Sequence, residues 1–142
     1  MEEYLNRNKN INRGFRKLDI WKLAISLYAS VVELFNGKSN IAYKVKAQIE
    51  DSALSISSNI AEGYARRSLK ENLWFYEISL SSLAENYSQL FALTAANQIS
   101  ENEFIIYDDR IYELENKLLK MNKSLIEKLN SKSNWNDDYK SK

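Results

Sequence analysis

The chain has 142 residues, 44% of them apolar, and a formal charge of +1. That size fits one domain with its own core, and that balance sets it apart from strongly basic domains that live on phosphate contacts. Cysteine and histidine are absent, which excludes a disulfide framework, thiolate or imidazole metal ligands and a histidine proton shuttle.

Proline is also absent, and glycine occurs only as Gly14, Gly37 and Gly63. So few breakers in a chain rich in Leu, Lys, Glu, Asn, Ser and Ala favour long helices. Neither a signal peptide nor an apolar run of roughly eighteen residues is read, so a cytoplasmic protein is expected.

Residues 1–14 form a basic arm, with Arg7, Lys9 and Arg13 among alternating asparagines, continued by Arg16 and Lys17. It lacks periodicity and is expected to be flexible. From Asp19 the apolar residues Trp21, Ile25, Tyr28, Val32 and Phe35 step by four and three, widened by Leu23, Leu27, Val31 and Leu34. This predicts a helix with a broad apolar face, ended by a left-handed stop at Asn36-Gly37.

A second helix is predicted from Ser39 or Asn40 as N-cap through Val45, Ile49, Ala53, Ile56 and Ile60 toward Gly63. Ser68-Leu69-Lys70-Glu71 has the capping-box spacing and opens a third. Its stripe is Leu73, Tyr76, Leu80, Leu83, Tyr87, Leu90 and Thr94.

Ser100 and Glu103 repeat the box, and a fourth helix follows with Phe104, Tyr107, Ile111, Leu114, Leu118, Met121 and Leu125 on one seam. Ile105, Tyr112, Leu119 and Ile126 make a second stripe, expected to meet another neighbour inside a bundle. The pattern ends at Asn130, and 131–142 is expected to be a disordered tail. Four helices with short connections predict an all-α, antiparallel up-down-up-down four-helix bundle over 15–130.

Within the second helix lies a run of poor helix formers, Ser55-Ile56-Ser57-Ser58-Asn59. Gln48, Ser52, Ser55, Asn59 and Gly63 step by four, three, four and four, so they share one face, with Glu62 beside them. Such a polar seam has two readings. Small side chains let a neighbouring backbone approach while Gln48, Asn59 and Glu62 fix register, within the chain or between subunits; or the seam faces a ligand groove.

The second candidate site is basic. Arg66, Arg67 and Lys70 crowd a connection next to a helix N-terminus, where free N–H groups favour anions. The bland alternative is a solvated turn with Arg66 paired to Glu62 at i, i+4. An exposed aromatic beside Arg66 would favour nucleic acid, whereas Tyr28, Tyr76, Tyr87, Tyr107 and Tyr112 fall on core stripes.

Enzymatic readings fare poorly. A bundle di-metal site needs Glu-x-x-His pairs that this chain cannot supply, although Glu62, Glu77 and Glu85 offer oxygens for a hard cation. No base stands at an activating distance in sequence from any serine, and no Gly-rich phosphate loop exists. A non-catalytic protein without cofactor is expected.

These residues carry a resemblance. Phe15-Arg16-Lys17-Leu18-Asp19-Ile20-Trp21-Lys22, then Gln48-Ile49, Ser52-Ala53, Ser55-Ile56, Ser58-Asn59-Ile60-Ala61-Glu62-Gly63 and Arg66, and further Ser68, Glu71, Phe75, Ser82-Leu83 and Glu85, resemble the intervening-sequence protein family. Its genes were first noticed inside insertions in bacterial large-subunit ribosomal RNA genes. The resemblance implies an antiparallel four-helix bundle assembling as a ring, commonly a homopentamer.

The family includes accessory proteins of diversity-generating retroelements, which bind a reverse transcriptase and its RNA through basic surfaces. By that resemblance Arg13, Arg16, Lys17, Arg66, Arg67 and Lys70 are candidates for contacting RNA, and Gln48, Ser52, Ser55, Asn59 and Glu62 for a subunit interface. Where the family often carries two arginines after Gln48-Ile49, this chain has Glu50-Asp51, which repel phosphate. The expected function is therefore an oligomeric accessory protein for RNA or a nucleoprotein, or else a protein-interaction scaffold without nucleic acid.

Overall fold

A computed structural model describes residues 1–7 and 11–140, with backbone alone at 6, 11–12 and 132–140. Asn8, Lys9 and Asn10 of the basic arm and residues 141–142 of the tail lie outside the described residues. Among the described residues there is no strand: the elements are α1 (Glu2–Asn6), a 3-10 segment (Ile11–Lys17), α2 (Asp19–Phe35), α3 (Tyr43–Ala65), α4 (Leu69–Ala95) and α5 (Glu101–Lys140).

The ends of α2, α4 and α5 follow their local chemistry. Gly37 takes a φ of +78° just beyond α2, the left-handed conformation that a Cβ would strain. At the close of α4, Asn97 sits at φ 57°. The Asn97 and Gln98 N–H groups bond back to the Thr94 and Leu93 carbonyls at 3.0 and 2.9 Å, the two bonds of a Schellman ending.

Both serines cap their helices, but only the Ser100 box is fully reciprocal, because Glu71 reaches the Ser68 hydroxyl and not its backbone N–H. The Glu71 N–H donates to Ser68 Oγ at 3.1 Å and the hydroxyl donates onward to Glu71 Oε2 at 3.0 Å. The Glu103 N–H donates to Ser100 Oγ at 3.1 Å, while Glu103 Oε1 accepts from the Ser100 N–H at 2.9 Å.

The start of α3 differs from expectation. The helix begins at Tyr43 behind Ala42, which offers no side-chain cap. Neither Ser39 nor Asn40 is the cap, since the helix starts beyond both; Asn40 instead donates its amide to the Gln98 carbonyl at 3.2 Å, and the Gln98 amide returns a bond to the Asn40 carbonyl at 2.9 Å. This reciprocal pair ties the α2–α3 connection to the α4–α5 connection, with Ile41 buried beneath it.

The far end of α5 differs too. The apolar pattern fades at Asn130, yet the helix runs on to Lys140. Without proline or glycine beyond Asn130 nothing in the backbone chemistry stops it.

The helices pack as α2 on α3, α3 on α4, α4 on α5 and α5 on α2. Polar contacts set direction. Ser52 meets Gln89, Ser55 meets Ser82, Ser79 meets Ile56 and Asn72 meets Gly63, so α3 and α4 run antiparallel. Lys117 pairs with Asp19, Tyr107 with Ser30 and Glu103 with Lys38, so α2 and α5 do as well.

Between them lies a core that includes Leu27, Val31, Ile49, Ile56, Ile60, Leu83, Leu90, Leu114 and Leu118, all almost fully buried. Burial of such side chains, at about 1.5–3 kcal/mol each, is what offsets the entropy of ordering the helices.

Candidate functional site

The polar seam of α3 is brought against α4. Ser52, 4% exposed, has one hydroxyl proton and two acceptors in reach, Gln89 Oε1 at 2.6 Å and the Ile49 carbonyl at 3.0 Å. Asn86, fully buried on α4, donates to Ser52 Oγ at 3.0 Å and to the Ile49 carbonyl at 3.1 Å. Ser55 and Ser82 share a hydrogen bond at 2.9 Å, and the Asn59 amide donates to the Ser55 carbonyl and hydroxyl at 2.8 and 3.0 Å.

Gly63 completes the approach. A Cβ there would stand 2.8 Å from Phe75 Cβ and 2.9 Å from Tyr76 Cε1, distances that force something to move. Burial, reinforced by nearby Tyr64, pushes the Tyr76 phenol up to about 12, so this wall of the seam stays neutral. Small side chains therefore serve close packing inside the chain. Gln48 and Glu62, at the ends of the candidate set, are exposed.

On α4 the matching residues Ser79, Ser82 and Asn86 step by three and four, the kind of spacing that exposed the seam on α3; only Ser82 is marked by the sequence, through the family resemblance. The signal existed but sat beside a conspicuous Leu/Tyr stripe.

The basic candidates occupy the other end of these helices. Arg66 donates to Glu62 Oε1 at 3.0 Å and lies over the Phe75 ring, 4.8 Å from its centroid. The Asn72 amide donates to the Gly63 and Arg66 carbonyls, closing the end of α3. Arg67 and Lys70 are exposed and form no ion pair among the described residues.

Beside them Trp74 is 59% exposed. It stands off the apolar stripe of α4, which is the sequence signal that marks it. Arg66, Lys70, Leu73, Trp74 and Phe75, with Glu71 and Glu77, line a groove of about 510 Å³.

The arm packs on this end through Gly14, where a Cβ would meet the Tyr64 ring at 2.8 Å. Its arginines divide. Arg16 spends its guanidinium on backbone carbonyls, Tyr4 at 2.8 Å, Arg7 at 2.7 Å and Arg13 at 3.2 Å, whereas Arg13 and Lys17 are exposed.

A third surface emerges from α5. Ile105, Tyr112, Leu119 and Ile126, expected to meet an internal neighbour, are 54%, 66%, 50% and 43% exposed. Tyr112 is therefore no core residue. The reason is that α2 and α4 already cover the Phe104–Leu125 seam. Beside the stripe, Tyr112 joins Leu80, Ala84 and Tyr87 around a groove of about 310 Å³, and Phe91, 55% exposed, packs edge-on against Phe104 with centroids 5.7 Å apart.

Among the described residues no cluster of three or more carboxylates is placed to hold a metal ion, and no helix is long and apolar enough to cross a membrane.

An all-helical chain with a small-polar seam buried between two of its helices is the class defined by this geometry. The chain belongs to the 23S rRNA-intervening sequence protein family, whose model matches residues 16–120. Among curated proteins no match is found.

Proposed function

We propose that the protein is a non-catalytic, homo-oligomeric accessory protein that serves RNA or a nucleoprotein partner such as a reverse transcriptase. Helices α2–α5 are read as an antiparallel up-down-up-down four-helix bundle, in keeping with their cyclic packing and the two antiparallel pairs. Its place is the cytoplasm.

The observation that carries the oligomeric reading is the exposed heptad stripe of α5. Four large apolar residues at strict seven-residue spacing form a seam of the kind that packs along another helix, and each is left about half in water. Covering them would contribute roughly 1 kcal/mol apiece.

Ile25 and Val32 stand seven residues apart on α2 and so share a second, shorter apolar face, 38% and 40% exposed. Two unlike patches suit a heterologous contact, and heterologous contacts that close make a ring. A homopentamer is the size the family resemblance implies. Light scattering at micromolar concentration tests this: a discrete mass several times that of one chain is expected, and a monomer would contradict it.

The RNA side of the proposal is supported by the exposed Trp74 among Arg66, Arg67 and Lys70. A scaffold that contacts protein alone is favoured instead by Glu50 and Asp51, which put acid on α3 and keep that helix unfit for phosphate. Labelled structured RNA titrated at low and moderate salt separates the two, because phosphate contacts release counterions and weaken steeply with salt. Absence of binding even at low salt leaves the protein-only scaffold.

A further inference from the structure

Resting on the RNA-binding reading, we infer that the groove at the start of α4 holds an unpaired nucleobase of single-stranded RNA, stacked on Trp74. Lys70 and Trp74 are one helical turn apart, so both stand on the same face of α4. The Trp74 ring meets Phe75 at near right angles, with centroids 5.0 Å apart, and at 59% exposure in a groove of about 510 Å³ it still leaves ring surface to water, on which the π-face of a base can stack. In a duplex those faces are already stacked, so the site selects unpaired strand.

The charges around the ring are divided in a way that suits a nucleotide. Arg66 is held by Glu62 and by the Phe75 face, which fixes one wall of the groove rather than leaving a mobile cation. Glu71 is engaged in its capping box with Ser68. Lys70, which lines the groove, remains for phosphate, being exposed and without an ion pair among the described residues.

Glu77 lies one turn beyond Trp74 and also lines the groove. Its carboxylate accepts from an exocyclic amine at a base edge, whereas it repels an acidic peptide that would otherwise be attracted to the same cations. A nucleotide uses both signs of charge present here; an acidic peptide uses one.

The test measures binding of a labelled single-stranded RNA of mixed sequence, and of the same sequence as a duplex, to the full chain and to Trp74→Ala and Trp74→Phe, with the mass of each protein followed by light scattering. The expected result is single-strand affinity about tenfold weaker in Trp74→Ala, a loss of about 1.4 kcal/mol and within what stacking of one base contributes. Trp74→Phe recovers most of it, duplex affinity does not change between variants, and every mass stays the same.

RNA binding that is indifferent to Trp74→Ala overturns the stacking site while leaving the RNA reading in place. Failure of any RNA to bind at low salt overturns both. A change of mass in Trp74→Ala places the ring in a subunit contact and overturns the site. Competition by a poly-glutamate peptide, lost in the same variant, replaces the nucleobase with an acidic partner.

Discussion

Single residues decide how α3 and α4 meet. Asn86 has no exposure, and its amide N–H groups bridge to the Ser52 hydroxyl and the Ile49 carbonyl while its Oδ1 has no partner among the described residues. Asn86→Ala removes both bonds, leaves a cavity, and is expected to cost about 2–3 kcal/mol, read as a lower urea midpoint at unchanged slope. A loss under 0.5 kcal/mol, on the order of an ordinary surface substitution, would show that the bridge contributes little.

Asn122 is the opposite case. It is 5% exposed and neither amide atom has a hydrogen-bond partner. Removing an unsatisfied buried amide in favour of an apolar group of similar size relieves a desolvation penalty. Asn122→Leu is expected to stabilise the chain by roughly 1 kcal/mol, seen as a higher Tm; a lower Tm would mean that the amide has a partner in solution.

At this scale the sequence was half legible. Spacing alone put Ser52, Ser55 and Asn59 on one face and marked Gly63 for close approach, because period and side-chain size are properties of the chain itself. Which neighbour they face is a tertiary fact, and so are the exposure of Trp74 and the turning of Arg16 onto carbonyls.

Helix ends were legible wherever the signal was local. Ser68 with Glu71, Ser100 with Glu103, and Gly37 act within a turn of their own position and behave as their spacing predicts. Asn40 did not: the helix starts three residues later at Tyr43, and the Asn40 amide is turned to a distant carbonyl, Gln98, in a tertiary contact that spacing does not reveal. The continuation of α5 past Asn130 was hidden because the apolar stripe ends there and Ser131, Ser133, Asn134, Asn136, Asp137 and Asp138 are weak helix formers; no proline or glycine, however, interrupts the backbone.

The α5 cap has a pH consequence. The Ser100 N–H bond, and then Lys38, hold the Glu103 carboxyl below its ordinary value of 4.5. A depressed acid binds its proton more weakly in the folded state than in the unfolded one, so the stability it adds is complete above that ordinary value. It is lost as the pH falls through the lower folded one.

Glu103→Gln keeps a side chain able to accept from Ser100 but loses the charge facing Lys38. The variant is expected to be destabilised by less than about 1 kcal/mol at neutral pH, the difference shrinking to nothing in acid. Urea melts of both proteins across that range check it, and a difference that persists in acid would contradict the electrostatic account.

For the whole molecule, the all-helical class followed from few breakers and repeated three–four spacing. The second stripe of α5 was visible as a heptad, but its partner was misassigned: with α2 and α4 filling the inner seam, nothing among the described residues covers Ile105, Tyr112, Leu119 and Ile126. A sequence shows that a stripe needs a neighbour, not whether that neighbour belongs to the same chain.

Association through this stripe is the central claim, and the double variant Tyr112→Glu/Leu119→Glu tests it most directly. Both side chains are half or more exposed in the single chain, so the fold should tolerate the charges while a packed interface should not. Sedimentation of the two proteins at equal concentration, with circular dichroism to show that helix content is retained, is expected to give a discrete oligomer for the natural chain and helical monomers for the variant. An unchanged oligomer in the variant, or a monomer in the natural chain, would contradict the account.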